Sequence, residues 1–216
     1  MNKSLSKILK TLSKKYNSTE KTTLNRMRIK PHPFKILISC LLSLRARDET
    51  TEKISKELFK IADTPEKISK LQLKKLEKII FSTGHYKKKS KTLQHVSKEL
   101  IKRFNSNVPK TREQLMSIKG IGPKTANIVL AFAYNKSVIP VDTHVHRVSN
   151  RLGLVKTKTA EKTEPELYKI IPKKHWLNYN AIIVQFGREI CQPISPWCSK
   201  CPINKYCPKI NVKTKR

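Results

Sequence analysis

Apolar positions along this chain recur at helical spacing throughout. Residues 1–16 are lysine-rich, yet Leu5, Ile8, Leu9 and Leu12 share one face, so an amphipathic helix is expected there, followed by a loop over 17–33 that ends in Pro31-His32-Pro33. Phe34–Leu44 is apolar all round and reads as a buried central helix. Asp48 is placed to cap the next helix, in which Ile54, Leu58 and Ile61 fall at i, i+4 and i+7. Thr64-Pro65 opens a short helix. Leu73, Leu76, Ile79 and Ile80 mark another, which ends at the turn Ser82-Thr83-Gly84. Lys87–Phe104 is a long basic helix with Leu93, Val96, Leu100, Ile101 and Phe104 on its apolar face. Thr111 starts a helix that stops at Lys119-Gly120, and Pro123 opens a second through Ala126, Ile128, Val129, Leu130 and Phe132. A helix from His144 to Leu152 follows Asp142. Thr163 and Glu166 read as a capping box for a helix through Ile171, and His175–Ile190 is the last long helix. No stretch alternates over a strand length, so the fold class is all-α.

The two helices flanking Gly120-Ile121-Gly122 form a helix-hairpin-helix. Glycine permits the sharp turn, and it lets another surface approach the backbone with no Cβ in the way. A glycine turn opening a helix presents backbone N–H groups and the positive end of the helix dipole, an arrangement suited to a phosphate. A plain turn between two core helices has the same local sequence. Lys124 follows at once, and on residue type alone it is either a phosphate-binding or solvated lysine, or a nucleophile. Asp142 is a good helix N-cap, and a carboxylate there can also take up a proton. His144 can cap locally. Asp142, His144 and His146 sit two residues apart, which on a helix points them in different directions and argues against a metal triad.

Four of the five cysteines fall in one array, Cys191-x6-Cys198-x2-Cys201-x5-Cys207. It is too dense for ordinary disulfide pairing. Four converging thiolates need a strongly cationic centre, and zinc or an iron–sulfur cluster would each serve. The fifth, Cys40, lies in the apolar Phe34–Leu44 stretch and reads as a small buried hydrophobe.

Charge narrows the partner. The 216 residues carry 47 basic and 15 acidic side chains, a net +32, which makes a polyanion such as nucleic acid the natural ligand. Thirty-seven of those basic residues are lysine. With arginine scarce, the charge reads as phosphate attraction rather than base-specific recognition. The longest apolar run is too short to span a bilayer, and the basic N-terminus lacks the apolar core of a secretory signal.

The hairpin KGIGPKTAN, the loop VDTHVHR and the terminal cysteine array occur in the order found in the endonuclease III branch of the helix-hairpin-helix DNA glycosylases, and the chain resembles that family from about Pro33 to Cys207. The resemblance implies two lobes. One is a six-helix barrel over about 26–136 that contains the hairpin (111–136); the other is formed by 1–25 with 137–216 and carries the cluster loop 191–207. The chemistry is expected in a cleft between them. The resemblance further implies a bifunctional glycosylase and abasic-site lyase that removes oxidised pyrimidines from duplex DNA, with Lys124 and Asp142 catalytic. Cys191, Cys198, Cys201 and Cys207 are expected to hold a [4Fe–4S] cluster, and Gly120, Gly122 and His144 to meet DNA. A monomer acting on the nucleoid in the cytoplasm of a prokaryote is the matching expectation. Lys119 and Pro123 replace the more frequent proline and arginine of the hairpin, and two further positions depart from the bacterial pattern. Arg45 stands where a glutamine is usual, resembling archaeal-type members, and His85 stands where an apolar wedge is usual. Both are expected to occupy the space left by an extruded nucleotide. A monofunctional mismatch glycosylase of the same fold is disfavoured by Lys124. A non-catalytic DNA-binding module is disfavoured by the presence of Lys124, Asp142 and all four cysteines together.

Overall fold

The computed structural model describes residues 3–16, 27, 30–44 and 46–216, and among these every regular element is helical. The helices are α1 (Lys3–Tyr16), α2 (Pro33–Ser43), α3 (Asp48–Ile61), α4 (Pro65–Lys70), α5 (Leu73–Ile80), α6 (Tyr86–Phe104), α7 (Arg112–Met116), α8 (Pro123–Tyr134), α9 (Thr143–Arg151), α10 (Ala160–Ile170) and α11 (Lys173–Glu189). Short 3₁₀ turns occupy Phe81–Thr83 and Asn204–Tyr206. The chain divides into two compact units, Glu20–Lys136 and Met1–Thr19 with Ser137–Arg216.

In the first unit α2 is the hub. It is buried from Phe34 to Leu42 apart from Lys35, and it packs against α3, α6 and α8. Each such Leu or Ile contributes roughly 1.5–3 kcal/mol by leaving water, so this helix forms the floor on which the hairpin helix α8 rests. On α6, Leu93, Val96 and Leu100 are buried as the spacing requires, and α6 covers α4 and α5. The second unit is built on α11, against which α1 and α9 pack. Leu5, Ile8, Leu9 and Leu12 of α1 all enter its core, and Tyr16 ends that helix against Phe186 at 6.0 Å between ring centroids.

Several helix ends differ from expectation. Asp48 is the first residue inside α3, with Arg47 at the N-cap position, so its carboxylate complements the dipole from within the first turn. Ile61 is 44% exposed at the end of that helix. The first hairpin helix is shorter than read, ending at Met116, because the chain already turns at Ser117–Gly120. The Thr163–Glu166 capping box does not form. Thr159 caps α10 instead, accepting from Lys162 N at 3.3 Å, while the Thr163 hydroxyl donates back to Thr159 O at 2.9 Å. The last helix starts at Lys173, just after Pro172. Most of the loop read over 17–33 lies outside the described residues, although Pro33 does open α2, with His32 at its N-cap.

Candidate active site

The hairpin is set by three local features. Thr111 accepts from Gln114 N at 3.2 Å and starts α7. Leu115, Ile118 and Ile121 are buried and pin the turn to the core. Gly120 takes φ +103°, and a Cβ there would lie 2.7 Å from Thr92 Cγ2, so only glycine lets the turn press against α6. Gly122 does a different job. Its φ of −92° is open to any residue, and nothing lies within 4 Å of where its Cβ would be. It is the N-cap of α8, and with no side chain it leaves the helix N-terminus open to an incoming anion.

Lys124 is the second residue of α8 and is half-buried. Its neighbour on α2 is Cys40, a fully buried thiol. Burial pushes that thiol up, while the Lys124 charge and a hydrogen bond with the Thr125 side chain pull it back.

Asp142 is the N-cap of α9. Its Oδ1 accepts from both His144 N and Val145 N at 2.9 Å. Both bonds use one carboxylate oxygen, so the capping role and a proton-accepting role are structurally compatible. His144 Nδ1 lies 3.1 Å from Arg147 Nη2, and the ring sits over Gly187 of α11, where a Cβ would come within 3.1 Å of it. His146 turns away, to Thr163 Oγ1 at 2.7 Å. The three side chains of the Asp-x-His-x-His run therefore have three different partners.

The four cysteines of the array line one cavity, and none is in a disulfide. Among the described residues no three or more His, Cys, Asp or Glu side chains converge closely enough to hold a metal ion as they stand. The donor set still fits a soft or borderline cation. The four cysteines are the only His, Cys, Asp or Glu side chains lining the cavity, and burial, with the other cysteines contributing, pushes the Cys201 thiol up to about 11 and Cys207 upward as well. Such a group of sulfurs ionises together only around a strong positive charge.

Two arginines that sequence reasoning passed over hold this loop to α9. Arg147 donates to Gly187 O at 2.9 Å and to Cys191 O through Nε at 3.2 Å and Nη2 at 2.9 Å. One turn on, Arg151 donates to Gln192 O at 2.6 Å and Pro193 O at 2.7 Å, with Nη1 3.5 Å from Cys191 Sγ. The helix that begins with Asp142 thus ends by gripping the cysteine loop. The available signal was an i, i+4 arginine pair in a chain that otherwise uses lysine, since a planar fork of donors is what two carbonyls require. Beyond the grip, Lys200 and Lys205 are exposed, over the Trp197 and Tyr206 rings at 4.7 and 5.1 Å.

His85 is exposed on the turn before α6. It adopts φ 48°, directly after Gly84 at φ 68°. Gly84 takes its positive φ freely, so the cost of the turn falls on His85, which sits in the left-handed helical region. Arg45 lies outside the described residues.

The hairpin with its lysine and the Asp142 loop place the chain among DNA-repair proteins. The family model described as HhH-GPD superfamily base excision DNA repair protein matches residues 38–173. Within that superfamily, the chain belongs to the endonuclease III family. It is 44% identical over 175 residues to endonuclease III of Thermotoga maritima, a match covering 81% of this chain and 82% of that one. Its fold superposes on the endonuclease III of a non-covalent DNA complex with a TM-score of 0.88, at 33% identity over 97% of this chain and 96% of the other. A trapped covalent endonuclease III–DNA intermediate matches with a TM-score of 0.87, also at 33% identity and over 97% of each chain. No helix among the described residues is long and apolar enough to cross a membrane.

Proposed function

We propose that this bifunctional DNA glycosylase and abasic-site lyase of base excision repair acts on oxidised pyrimidines in duplex DNA, with Lys124 as nucleophile and Asp142 as its proton acceptor. The observation that carries the reading is Lys124 itself, half-buried on the first turn of α8 beside a glycine N-cap that leaves room for the DNA backbone. In this reading the neutral Lys124 amine attacks C1′ of the damaged nucleotide and the base departs with the bonding pair. The C1′–O4′ bond then opens, with O4′ taking up a proton, to leave a Schiff base at C1′; this acidifies a C2′ proton, and its loss expels the 3′ phosphate by β-elimination. Asp142 receives the proton given up by the amine and faces the positive charge that develops on the sugar. A lysine nucleophile is what separates this reading from a monofunctional mismatch glycosylase, which activates water instead.

Cys191, Cys198, Cys201 and Cys207 hold a [4Fe–4S] cluster in this proposal, supported by the cavity that all four cysteines line and the resemblance of the spacing to the family's loop. When bound, the cluster supplies the positive centre that four thiolates require. Arg147 and Arg151 then tie the ordered loop to the helix whose first turn Asp142 caps. Duplex DNA with damaged bases or abasic sites is the partner, engaged by a monomer on the nucleoid of a prokaryotic cell. The test uses a thymine-glycol duplex. Wild type should release the base and nick the strand, and Lys124→Gln should do neither while still binding the duplex. Base release without nicking by the wild type, or nicking by the variant, would overturn the assignment.

A further inference from the structure

Among the described residues Lys89 is a buried cation paired with carbonyls and with no carboxylate. It lies in the run Lys87-Lys88-Lys89 at the start of α6, but unlike its two exposed neighbours it is 8% exposed. Its ammonium donates to Leu42 O at 2.7 Å and to Thr83 O at 2.7 Å. Both acceptors are at helix ends: Leu42 in the last turn of α2, and Thr83 at the end of the Phe81–Thr83 turn. Carbonyls there lack a helical partner and carry the negative end of the dipole, so a lysine is a suitable cap for two ends at once. Burial pulls its ammonium down to about 8, which leaves it mostly charged at neutral pH.

The two residues enclosed by this contact are Gly84 and His85. Lys89 Nζ holds the carbonyl just before them, and Lys89 N donates to the His85 carbonyl at 3.0 Å. One residue therefore fixes both sides of a turn that needs two successive positive-φ residues. The other end of the strut is α2, which packs on α8. The chain of contact runs from the His85 turn through Lys89 to α2, and from α2 to the helix that begins with the reactive lysine.

We propose that Lys89 is a positioning residue for base excision: it holds the His85 turn in register with the helix bearing Lys124, so that the imidazole enters the stack while the extruded nucleotide is at the amine. The proposal rests on the glycosylase reading and on His85 as the wedge. Its test is a double-mutant cycle with Lys89→Met, His85→Ala and the pair. The quantity read is the rate on a thymine-glycol duplex divided by the nicking rate at a ready-made abasic site in single-stranded DNA, where no base must leave a stack.

Each single variant should lower that ratio by roughly tenfold, and the double variant should fall less than about twofold further, because residues acting through one another are not additive. Lys89→Arg, which keeps the charge and the donors, should recover most of the ratio. It also serves as the reporter if Lys89→Met fails to fold. Additive losses, or equal loss on both substrates in Lys89→Met, would overturn the proposal by reducing Lys89 to a folding residue. An unchanged ratio in His85→Ala would remove the wedge and the role of Lys89 together. Wild-type nicking of the single strand, scored in the same gel, reports the lyase reading separately.

Discussion

The two hairpin glycines should separate cleanly under the same substitution. Gly120→Ala adds a methyl at φ +103°, 2.7 Å from Thr92 Cγ2, with Val96 Cγ2 and Thr92 Cβ at an ordinary 3.9 Å. The backbone share of the cost is about 1–2 kcal/mol for an L-residue held at positive φ. The overpacking share is about 1–3 kcal/mol, since the obstacle is a stiff β-branched side chain on a helix. Together they predict a loss of about 2–5 kcal/mol, or some 2–4 °C of melting temperature per kcal/mol for a chain of this size. Thr92→Ala removes the clashing methyl, so in that background Gly120→Ala should cost only the backbone share. Gly122→Ala meets nothing within 4 Å and sits at φ −92°, so its folding cost should stay under about 1 kcal/mol, the difference between glycine and alanine at an N-cap. Its effect should appear on binding, because the new methyl stands where a phosphate must approach the backbone. Thermal melts and fluorescence anisotropy on a labelled duplex measure the two effects. A Gly120→Ala protein as stable as wild type, or a Gly122→Ala protein destabilised to the same degree with normal DNA affinity, would refute the division of labour.

Asp142→Ser keeps an oxygen for the His144 and Val145 N–H groups but removes the carboxylate, so melting should change by less than about 1 kcal/mol while base release falls by orders of magnitude. Full activity in Asp142→Ser would leave Asp142 a cap and nothing more. The purified protein should be straw-brown, with broad absorbance near ~400 nm and bound iron and sulfide. Metal analysis finding one zinc and no iron would contradict the cluster. The buried Lys89 sets a pH dependence of stability: the folded state releases its proton at about 8 and the unfolded state near 10.5, so unfolding takes up a proton in that window. Wild type should therefore gain stability relative to Lys89→Met as pH rises from 8 to 10.5, with a constant difference below 8. A difference that is flat or falls across the window contradicts the burial of the charge.

Much of the fold was legible because its cores are made by periodic apolar faces. Leu5 to Leu12, the Phe34–Leu42 hub and the Leu93–Leu100 face are all buried as their spacing requires. Thr64 and Thr111 also cap as read, each standing alone before its helix. The α10 start was harder. The stretch KTKTAEKTE offers several hydroxyls, and the one paired with Glu166 drew the expected start to Thr163, yet the helix begins a turn earlier at Thr159 and carries Pro165 in its second turn. Lys89 was hidden inside a run of like residues, although it shares the face of Leu93, Val96 and Leu100 at i, i+4, i+7 and i+11, and that marks the lysine that turns inward. The grip of Arg147 and Arg151 on the cysteine loop joins residues some forty positions apart, so the i, i+4 arginine pair marks the donors but not the carbonyls they reach. Gly187 is similar: only the packed ring of His144 shows why it is a glycine.

In the proposed reaction Lys124 forms a covalent bond to C1′ of the sugar. Incubating the protein with a thymine-glycol duplex in borohydride should give a stable protein–DNA adduct, because reduction converts the Schiff base to a secondary amine. Digestion and peptide mapping should then place the adduct on the peptide that contains Lys124, with no adduct formed by Lys124→Gln. A wild-type protein that releases the base but traps no adduct, or an adduct that maps to another lysine, would contradict the account.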